Sequence, residues 1–578
     1  MIRSKAGSDS HPSIIRRPPP YGLLLTLLLL SWVGIACPFA GASGIVLKDM
    51  TRETGITFRH CDGSSGLYRI GESVASGLAL LDYDNDGDVD IYFISGAYAE
   101  GVKNENVPRN TLYRNDGQWR FTDVTDQAGV GDLGFGLGVA VADYDNDGDQ
   151  DIYINNWGPN VLYRNNGNGT FTDVTQVAGV ANGSRMGAGA NFLDMDKDGD
   201  LDLFVSSYSA YSLEKHIPST VNGFPVYPGP GLYEHTFEAL FRNNGDGTFT
   251  DVSQASGVAF ARSPGMGSVC ADYDRDGDTD IFVANDTRPN YLFQNDGAGH
   301  FEEVGLLAGI AYDLHGQTQG SMGMDLGDYD NDGWLDLYVT SYQNEWASLL
   351  HNQRDGFFAD VTLASGAGVG TVPNVTWGIG FVDFDNDGLR DLFLACGHVQ
   401  DKIEHFDDRS TYYQKNILYR NLGNGKFEDV STLSGDGLQV QLASRGVGFD
   451  DLDNDGDVDV VILNPRREPT LLRNDSPAPG HWLQVTLRGT RSNRDGVGAQ
   501  VRIITPDAAF MDEVHSGRSY QSDFGRRLYF GLGKRTKIDR IEVAWIGGTK
   551  ETFTVDKVDR HVVLVEGQGS PRQPTTLK

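Results

Sequence analysis

The chain has 578 residues, 80 acids against 47 bases, a formal charge of -33, and hydrophobic and aromatic shares of 39% and 10%. At roughly 100 to 200 residues per domain this length demands several domains or one repeating architecture, and the apolar content excludes low-complexity disorder. The acidity excludes nucleic acid and anionic membrane surfaces as partners, because both need a basic patch; the four cysteines (Cys37, Cys61, Cys270, Cys396) have no CxxC spacing, which excludes a zinc ribbon, a thioredoxin-type pair and a dense disulfide scaffold.

Residues 1–42 read as a secretory signal. Arg16 and Arg17 precede an apolar run from Gly22 to Ile35, and Ala40-Gly41-Ala42 supplies small residues for cleavage. The run is shorter than the roughly 20 residues of a membrane span, and no later segment is long and apolar enough to be one. The protein is expected to be secreted, periplasmic or at the cell surface, with lipid attachment at Cys37 as the alternative.

From residue 43 to 476 one nine-residue pattern, D-x-D-x-D-G-x-x-D, recurs seven times. Its odd positions, 1, 3, 5, 7 and 9, are Asp82, Asp84, Asp86, Asp88 and Asp90; Asp143, Asp145, Asp147, Asp149 and Asp151; Asp194, Asp196, Asp198, Asp200 and Asp202; Asp272, Asp274, Asp276, Asp278 and Asp280; Asp328, Asp330, Asp332, Trp334 and Asp336; Asp383, Asp385, Asp387, Leu389 and Asp391; and Asp451, Asp453, Asp455, Asp457 and Asp459. These segments hold 33 of the 80 acids, and the charge of everything else is close to zero, so the whole-chain acidity belongs to the loops.

Four carboxylates around a sharp Gly turn repel one another unless a cation sits between them. Oxygen-only ligands fit calcium; zinc or copper would call for His or Cys, and magnesium rarely takes an all-protein cage. Side-chain ligands are expected at positions 1, 3, 5 and 9, with only the backbone carbonyl used at position 7, since Trp334 and Leu389 occur there. Position 12 is Phe93, Ile154, Val205, Val283, Val339, Leu394 or Ile462 and never the Glu of an EF-hand. About seven calcium ions are expected.

Two phrases accompany each loop. L-[YFL]-x-N occurs at Leu112, Leu162, Leu240, Leu292, Leu349, Leu418 and Leu471; F-x-D-V-T-like phrases start at Phe121, Phe171, Phe249, Phe301, Phe358 and Phe427, with a degenerate copy at Leu47. β-Forming runs flank every loop, so the loop joins strands one and two, the Leu phrase gives strand three and the Phe phrase strand four. Seven such units predict an all-β, seven-bladed β-propeller with calcium loops. The seventh unit lacks its Phe phrase, so Val46 to Thr51 is expected to supply its fourth strand and close the ring.

Residues 477–567 lose the calcium pattern and alternate as strands (Leu483 to Leu487, Gln500 to Ile504, Arg527 to Phe530, Ile541 to Trp545, Glu551 to Val555, Val562 to Val565), which predicts a small C-terminal β-sandwich-like domain. Residues 568–578 read as a disordered tail.

Asn493-Arg494-Asp495-Gly496-Val497-Gly498-Ala499, Ser516-Gly517-Arg518-Ser519-Tyr520 and Phe530-Gly531-Leu532-Gly533 resemble the ASPIC/UnbV signature. With the calcium repeats, the chain resembles the cartilage acidic protein and ASPIC/UnbV family, whose members carry FG-GAP or VCBS-type repeats. The blade arrangement is similar to the integrin α-subunit propeller, in which calcium loops lie on one face and ligands bind the other. The resemblance implies extracellular, calcium-dependent binding or adhesion and names no ligand. The EGF-like cysteines of the animal members are absent, so roles tied to that module do not carry over.

The leading functional reading is a binding module for an extracellular glycan or protein. Its alternative is an extracytoplasmic carbohydrate-active enzyme, a lyase or hydrolase on a propeller; no HExxH, GxSxG or P-loop pattern supports this. Acid/base candidates lie in two insertions between strands two and three: His216, Glu234, His235 and Glu238, and His398, Asp401, Glu404 and His405. By strand parity both insertions emerge opposite the calcium loops, and that face is expected to bind ligand through Tyr227, Tyr233, His235, His398, Tyr412 and Tyr413. Arg494 with Asp495 is read as an ion pair stapling a loop.

Overall fold

A computed structural model of the protein describes residues 44–74, 77–98, 107–477 and 480–571. The expected signal segment and Cys37 lie outside the described residues.

Seven antiparallel four-stranded sheets follow one another along the chain. The first contains Leu78–Leu81, Asp90–Phe93, Thr111–Asn115 and Phe121–Asp123. The second and third are joined at their inner edges by one pairing, Met186 with Trp157. The first strand of each sheet packs against the first strand of the next, around to Val447–Asp450, which returns to Leu78–Leu81. The result is a closed propeller, with each calcium-type loop between strands one and two as its spacing predicts. Close approach of the inner strands requires small residues: a Cβ on Gly138 would lie 2.0 Å from the Ala188 carbonyl oxygen.

The core lies between neighbouring sheets. Leu80, Ile91 and Phe93 pack in one buried cluster with Phe449 and Val460 of the last sheet, and full burial of such side chains contributes about 1.5–3 kcal/mol each. The seventh sheet takes its outer strand from the start of the chain. Leu47 pairs with Asn474, Lys48 with Arg473 and Asp49 with Leu472, flanked by Asp475 N–H to the Val46 carbonyl at 2.7 Å and Met50 N–H to the Leu471 carbonyl at 2.9 Å.

After residue 480 two sheets face each other. One orders Arg527–Gly533, His481–Arg488 and Arg560–Val565; the other orders Ala509–Glu513, Gln500–Ile504, Arg540–Ala544, Lys550–Phe553 and Ser570–Pro571. Leu483, Val485, Val501, Ile503, Leu528, Phe530, Ile541 and Val543 fill the space between them. Ala509–Glu513 is a strand that the sequence pattern does not announce. The expected tail also needs correction at its start, because Ser570 and Pro571 pair with Thr552 and Glu551.

The segment from Ser516 to Phe524 leaves this sandwich and fills the central channel. It meets every sheet of the ring. Asp523 exchanges backbone hydrogen bonds with Leu78 and Leu80, and its carboxylate accepts from Val141 N–H at 2.8 Å. The Gly517 carbonyl accepts from Asn191 Nδ2. The Ser519 carbonyl crowds Gly267, its backbone pairs with Met324, and its Oγ accepts from Ile379 N–H. Phe524 stacks edge-on against Phe449. Buried ion pairs Arg518 with Asp325 (2.6 Å) and Arg526 with Asp523 (2.7 Å) fix the plug. Gly517 is obligatory: its φ is +79°, and a Cβ would lie 2.0 Å from the Ala190 carbonyl oxygen.

Candidate metal centres and the two faces

In six of the seven loops the same hydrogen bonds shape the turn; in the fourth, Asp276 N–H turns to Asp274, and Asp272 Oδ1 and Asp280 Oδ2 are buried without a partner. The position-9 carboxylate accepts from the N–H of position 2 and from the Asn N–H of the Leu phrase, as Asp90 does from Tyr83 (3.1 Å) and Asn115 (2.8 Å). Position 1 accepts from N–H groups of positions 5 and 6, as Asp143 does from Asp147 (2.9 Å) and Gly148 (2.7 Å). The position-5 carboxylate accepts from the position-7 N–H, as in Asp455 with Asp457 at 3.0 Å. Position 4 adopts the left-handed conformation throughout: Asn85, Asn146, Lys197, Arg275, Asn331, Asn386 and Asn454 have φ between 53° and 64°.

These bonds leave oxygens of positions 1, 3 and 9 converging, within 4.8 Å of one another in Asp82/Asp84/Asp90, Asp143/Asp145/Asp151 and Asp194/Asp196/Asp202. In the fourth loop the set is Asp272, Asp274 and Asp276, and in the fifth Asp330 and Asp336 gather with His351. The residues present fit a hard cation by a second criterion. Oδ1 of position 3 is buried without a hydrogen-bond partner in five loops, at Asp84, Asp145, Asp196, Asp385 and Asp453. A buried acceptor left unpaired is costly, and its recurrence at one position marks where a positive guest belongs.

Electrostatics agree. Burial first, then neighbouring carboxylates, push Asp143 and Asp328 up to about 8, and Asp194 and Asp272 to about 7. Asp151, Asp202, Asp280, Asp391 and Asp459 are raised well above the carboxylate range, again by burial first. A cation between these groups removes the penalty on their ionised form.

Position 7 has a second role that its spacing alone does not reveal. Position 4 of each loop reaches position 7 of the next: Asn85 donates to Asp149 (2.7 Å), Asn146 to Asp200 (3.1 Å), Asn386 to Asp457 (2.8 Å), and Asn454 closes the circle on Asp88 (2.7 Å). Lys197 pairs with Asp278 at 3.4 Å. Where position 7 is not Asp, the link changes chemistry: Arg275 lies over the Trp334 ring, and Asn331 donates to the Gly388 carbonyl at 2.8 Å beside Leu389. The Asn of each Leu phrase adds a clasp, donating to its own loop and to the preceding one, as Asn115 does to the carbonyls of Val89 and Leu452. The loops thus form a closed belt. Its sequence signal is the Asn or long cation at position 4.

The C-terminal sandwich covers this face. Arg494 N–H donates to Asn146 Oδ1 (2.8 Å), Asp143 N–H donates to Asp495 Oδ2 (3.0 Å), and Gln484 donates to Asp451 Oδ2 (2.7 Å). Arg494 and Asp495 therefore staple a loop separately; among the described residues no ion pair joins them.

On the opposite face the two insertions dock on each other. The Gln400 side chain exchanges two hydrogen bonds with the Tyr227 backbone (2.7 and 2.9 Å), and His405 stacks on Phe224 at 5.0 Å. Arg466 ties Asp62, Asp401 and the Tyr227 hydroxyl together. The expected ligand side chains need correction here: Tyr227, Tyr233, His398 and Tyr412 are buried. The Tyr233 hydroxyl accepts from Ile217 N–H. His398 lies between Gln343 and Gln400 N–H, held to about 4 by burial and then Arg445, and is neutral. Tyr413 is 38% exposed and receives a hydrogen bond from Arg467; His235 is half-buried. Of the acid/base candidates, Glu238 accepts from Ser207 N–H and Glu404 from Tyr412 N–H; His216 is half-buried and Glu234 exposed. Tyr208, Tyr211, Tyr233 and Trp377 pack with Tyr520 of the plug, so the channel is filled from both ends.

Comparison with known proteins places these features. The ASPIC and UnbV model matches residues 489–571, and the FG-GAP-like repeat model matches residues 82–154, 143–205, 238–283, 272–339 and 328–394. The chain thus carries FG-GAP-like repeats followed by an ASPIC/UnbV segment. The seventh loop, at Asp451, lies outside the matched repeats but makes the same bonds. Cartilage acidic protein 1 of Mus musculus is 26% identical over 290 residues, which are 50% of this chain and 42% of that protein, so the match spans less than half of the relative's length. Among solved structures, an Agrocybe aegerita lectin recognising non-reducing terminal N-acetylglucosamine is similar with TM-score 0.36 and 18% identity, covering 61% of this chain and 79% of its own. The rhamnogalacturonan lyase YesW is similar with TM-score 0.36 and 14% identity, covering 69% and 71%.

Proposed function

We propose that this protein is a calcium-dependent binding module that works outside the cytoplasm and takes a glycan or protein ligand. The observation that carries the reading is the recurrent, buried, unpartnered position-3 oxygen beside two further carboxylates in loop after loop. All-oxygen sites of this kind suit calcium at the millimolar levels found outside cells, with about seven ions per chain. The leader-like segment at Arg16 to Ala42 supports export. No described helix is long and apolar enough to cross a membrane.

Binding is favoured over catalysis because the acid/base candidates of the second insertion are engaged within the chain: His398 by Gln343, Asp401 by Arg466, Glu404 by Tyr412 and His405 by Phe224. Recurrent loops that stiffen a ring make a scaffold for recognition. The test is a glycan and protein array screened with the purified mature chain, with and without calcium, alongside metal analysis of the same preparation. The reading requires a ligand retained in calcium and lost in chelator. Calcium-independent retention of every hit, or metal analysis finding two ions or fewer, removes it.

A further inference from the structure

Between the calcium-loop face and the C-terminal sandwich lies a cleft of about 540 Å³, floored by the first two loops and roofed by the strands His481–Arg488 and Arg560–Val565. Its size is that of a small-molecule site.

The charges around it are unequally satisfied. Every lining acid is already engaged. Asp82, Asp86 and Asp147 accept backbone N–H groups of their own loops, Asp149 accepts from Asn85, Asp450 from the Tyr529 hydroxyl, and Asp495 from Asp143 N–H. The bases are not all matched. Arg527 holds Asn454 and the Gly87 carbonyl. Arg488 and Arg494 have no side-chain hydrogen bond or ion pair among the described residues, and Arg494 stands over Gly148 of the second loop. Arg526 lines the same cleft with its side chain 8% exposed, and its Nε is buried without a partner. Three guanidinium groups with unused donors thus face one cleft whose acids are occupied, and loading the two loops with cations would make its floor still less negative.

We infer that this cleft is a ligand site for an acidic oligosaccharide, gripped through a carboxylate or sulfate by Arg488 and Arg494. The inference rests on the binding reading above and gives it a location and a ligand chemistry. Arginine forks match planar oxyanions; the amide N–H groups of Gln150, whose Oε1 accepts from Asp82 N–H, and the hydrogen-bonded Thr486–His561 pair line the cleft with polar groups that suit hydroxyls. The one large apolar side chain exposed at the rim is Val563, which offers no pocket for the apolar side chains of a peptide.

The experiment is titration calorimetry of the full mature chain at ~1 mM free calcium with three probes: trigalacturonate, a 6-sulfated galactobiose and neutral galactotriose. One acidic probe should bind at least about tenfold more tightly than galactotriose, and which one does so separates carboxylate from sulfate recognition. Arg488→Ala with Arg494→Ala should weaken it by a further factor of about ten while calcium-dependent melting is unchanged, and Arg488→Lys alone should retain part of the affinity. The site is refuted if both acidic probes bind no better than galactotriose, or if the double variant binds as the parent does. An array ligand whose binding survives the double variant also removes this site, yet leaves the binding reading standing.

Discussion

The two faces of the ring are built on opposite logics. On the calcium-loop face a nine-residue phrase is reused seven times, and each copy is bonded to the next, so that Asn454 at the end of the ring closes on Asp88 near its start. On the other face nothing repeats. Two insertions of unequal length dock through individual contacts such as the paired hydrogen bonds of Gln400 with Tyr227, and Arg466 ties Asp401 and Tyr227 of the insertions to Asp62. A repeated face concentrates like charge, whose repulsion cations between the carboxylates would offset; an irregular face is held by specific pairs. If that contrast is right, metal removal should loosen one face and spare the other.

The largest effect should therefore come from chelation. A ligand at 100 times its dissociation constant stabilises by about 2.7 kcal/mol per independent site, and several such sites sum to a large part of any domain's stability. Calorimetric melting in excess chelator should fall by more than about 10 °C. Hydrogen exchange should rise first in the loop backbones around Gly87, Gly148 and Gly456, with residues 398–406 following only at global unfolding. Uniform exchange across both faces would break the comparison.

Next in size is the plug, which joins the faces. Removing one partner of a buried ion pair costs about 3–5 kcal/mol. Arg518→Ala leaves Asp325 buried and unpaired, and urea unfolding should show a loss of that order with or without calcium. A loss below about 1 kcal/mol would mean that the channel relaxes around the plug.

How much of this is legible in the residues divides along the same line. The loops, the strand order and the exchange of Leu47–Asp49 onto the seventh sheet follow from spacing alone, because a repeat exposes its own register and shows which unit lacks a strand. The plug is not legible. Ser516-Gly517-Arg518-Ser519-Tyr520 stands out only as part of a family-like signature, and nothing local records that seven sheets leave a channel of its width. The aromatic residues of the insertions mislead for a related reason: Tyr227, Tyr233 and Tyr412 look like ligand platforms in a long loop, but a long loop over an open channel needs a core of its own, and they supply it. Asn85 and its equivalents are visible as residues while their partners lie one repeat away.

A smaller test uses pH on the irregular face. Glu238 is fully buried and burial pushes its carboxyl up to about 8. A folded-state value raised above the unfolded one contributes stability at low pH that is lost as pH rises toward 8. Glu238→Gln should therefore gain on the parent by about 1 kcal/mol per pH unit between pH 5 and 7, measured by urea unfolding. Since Glu238 lies outside the loops, the slope should be the same with and without calcium; a slope that vanishes in chelator would show the two faces to be coupled.

The smallest expected change concerns the belt itself. Asn454→Ala removes one side-chain hydrogen bond, to Asp88, together with the one received from Arg527, and net losses of this type are about 1 kcal/mol. Stability is the less informative readout. Each position-4 side chain can reach its neighbour only when both loops hold their turn, so ordering one loop around a cation should favour the next, and calcium titration of the parent should be steeper than for independent sites. Cutting the belt at one of its links converts a ring of coupled loops into an open row, which should lower the calorimetric Hill coefficient while leaving the number of bound ions unchanged. Asn454→Asp is the sharper variant, because it sets a carboxylate against Asp88 and should separate the first and seventh loops into the weakest pair. Parent and variants giving the same non-cooperative isotherm would reduce the belt to packing, and the repeated face would then differ from the irregular one in composition alone.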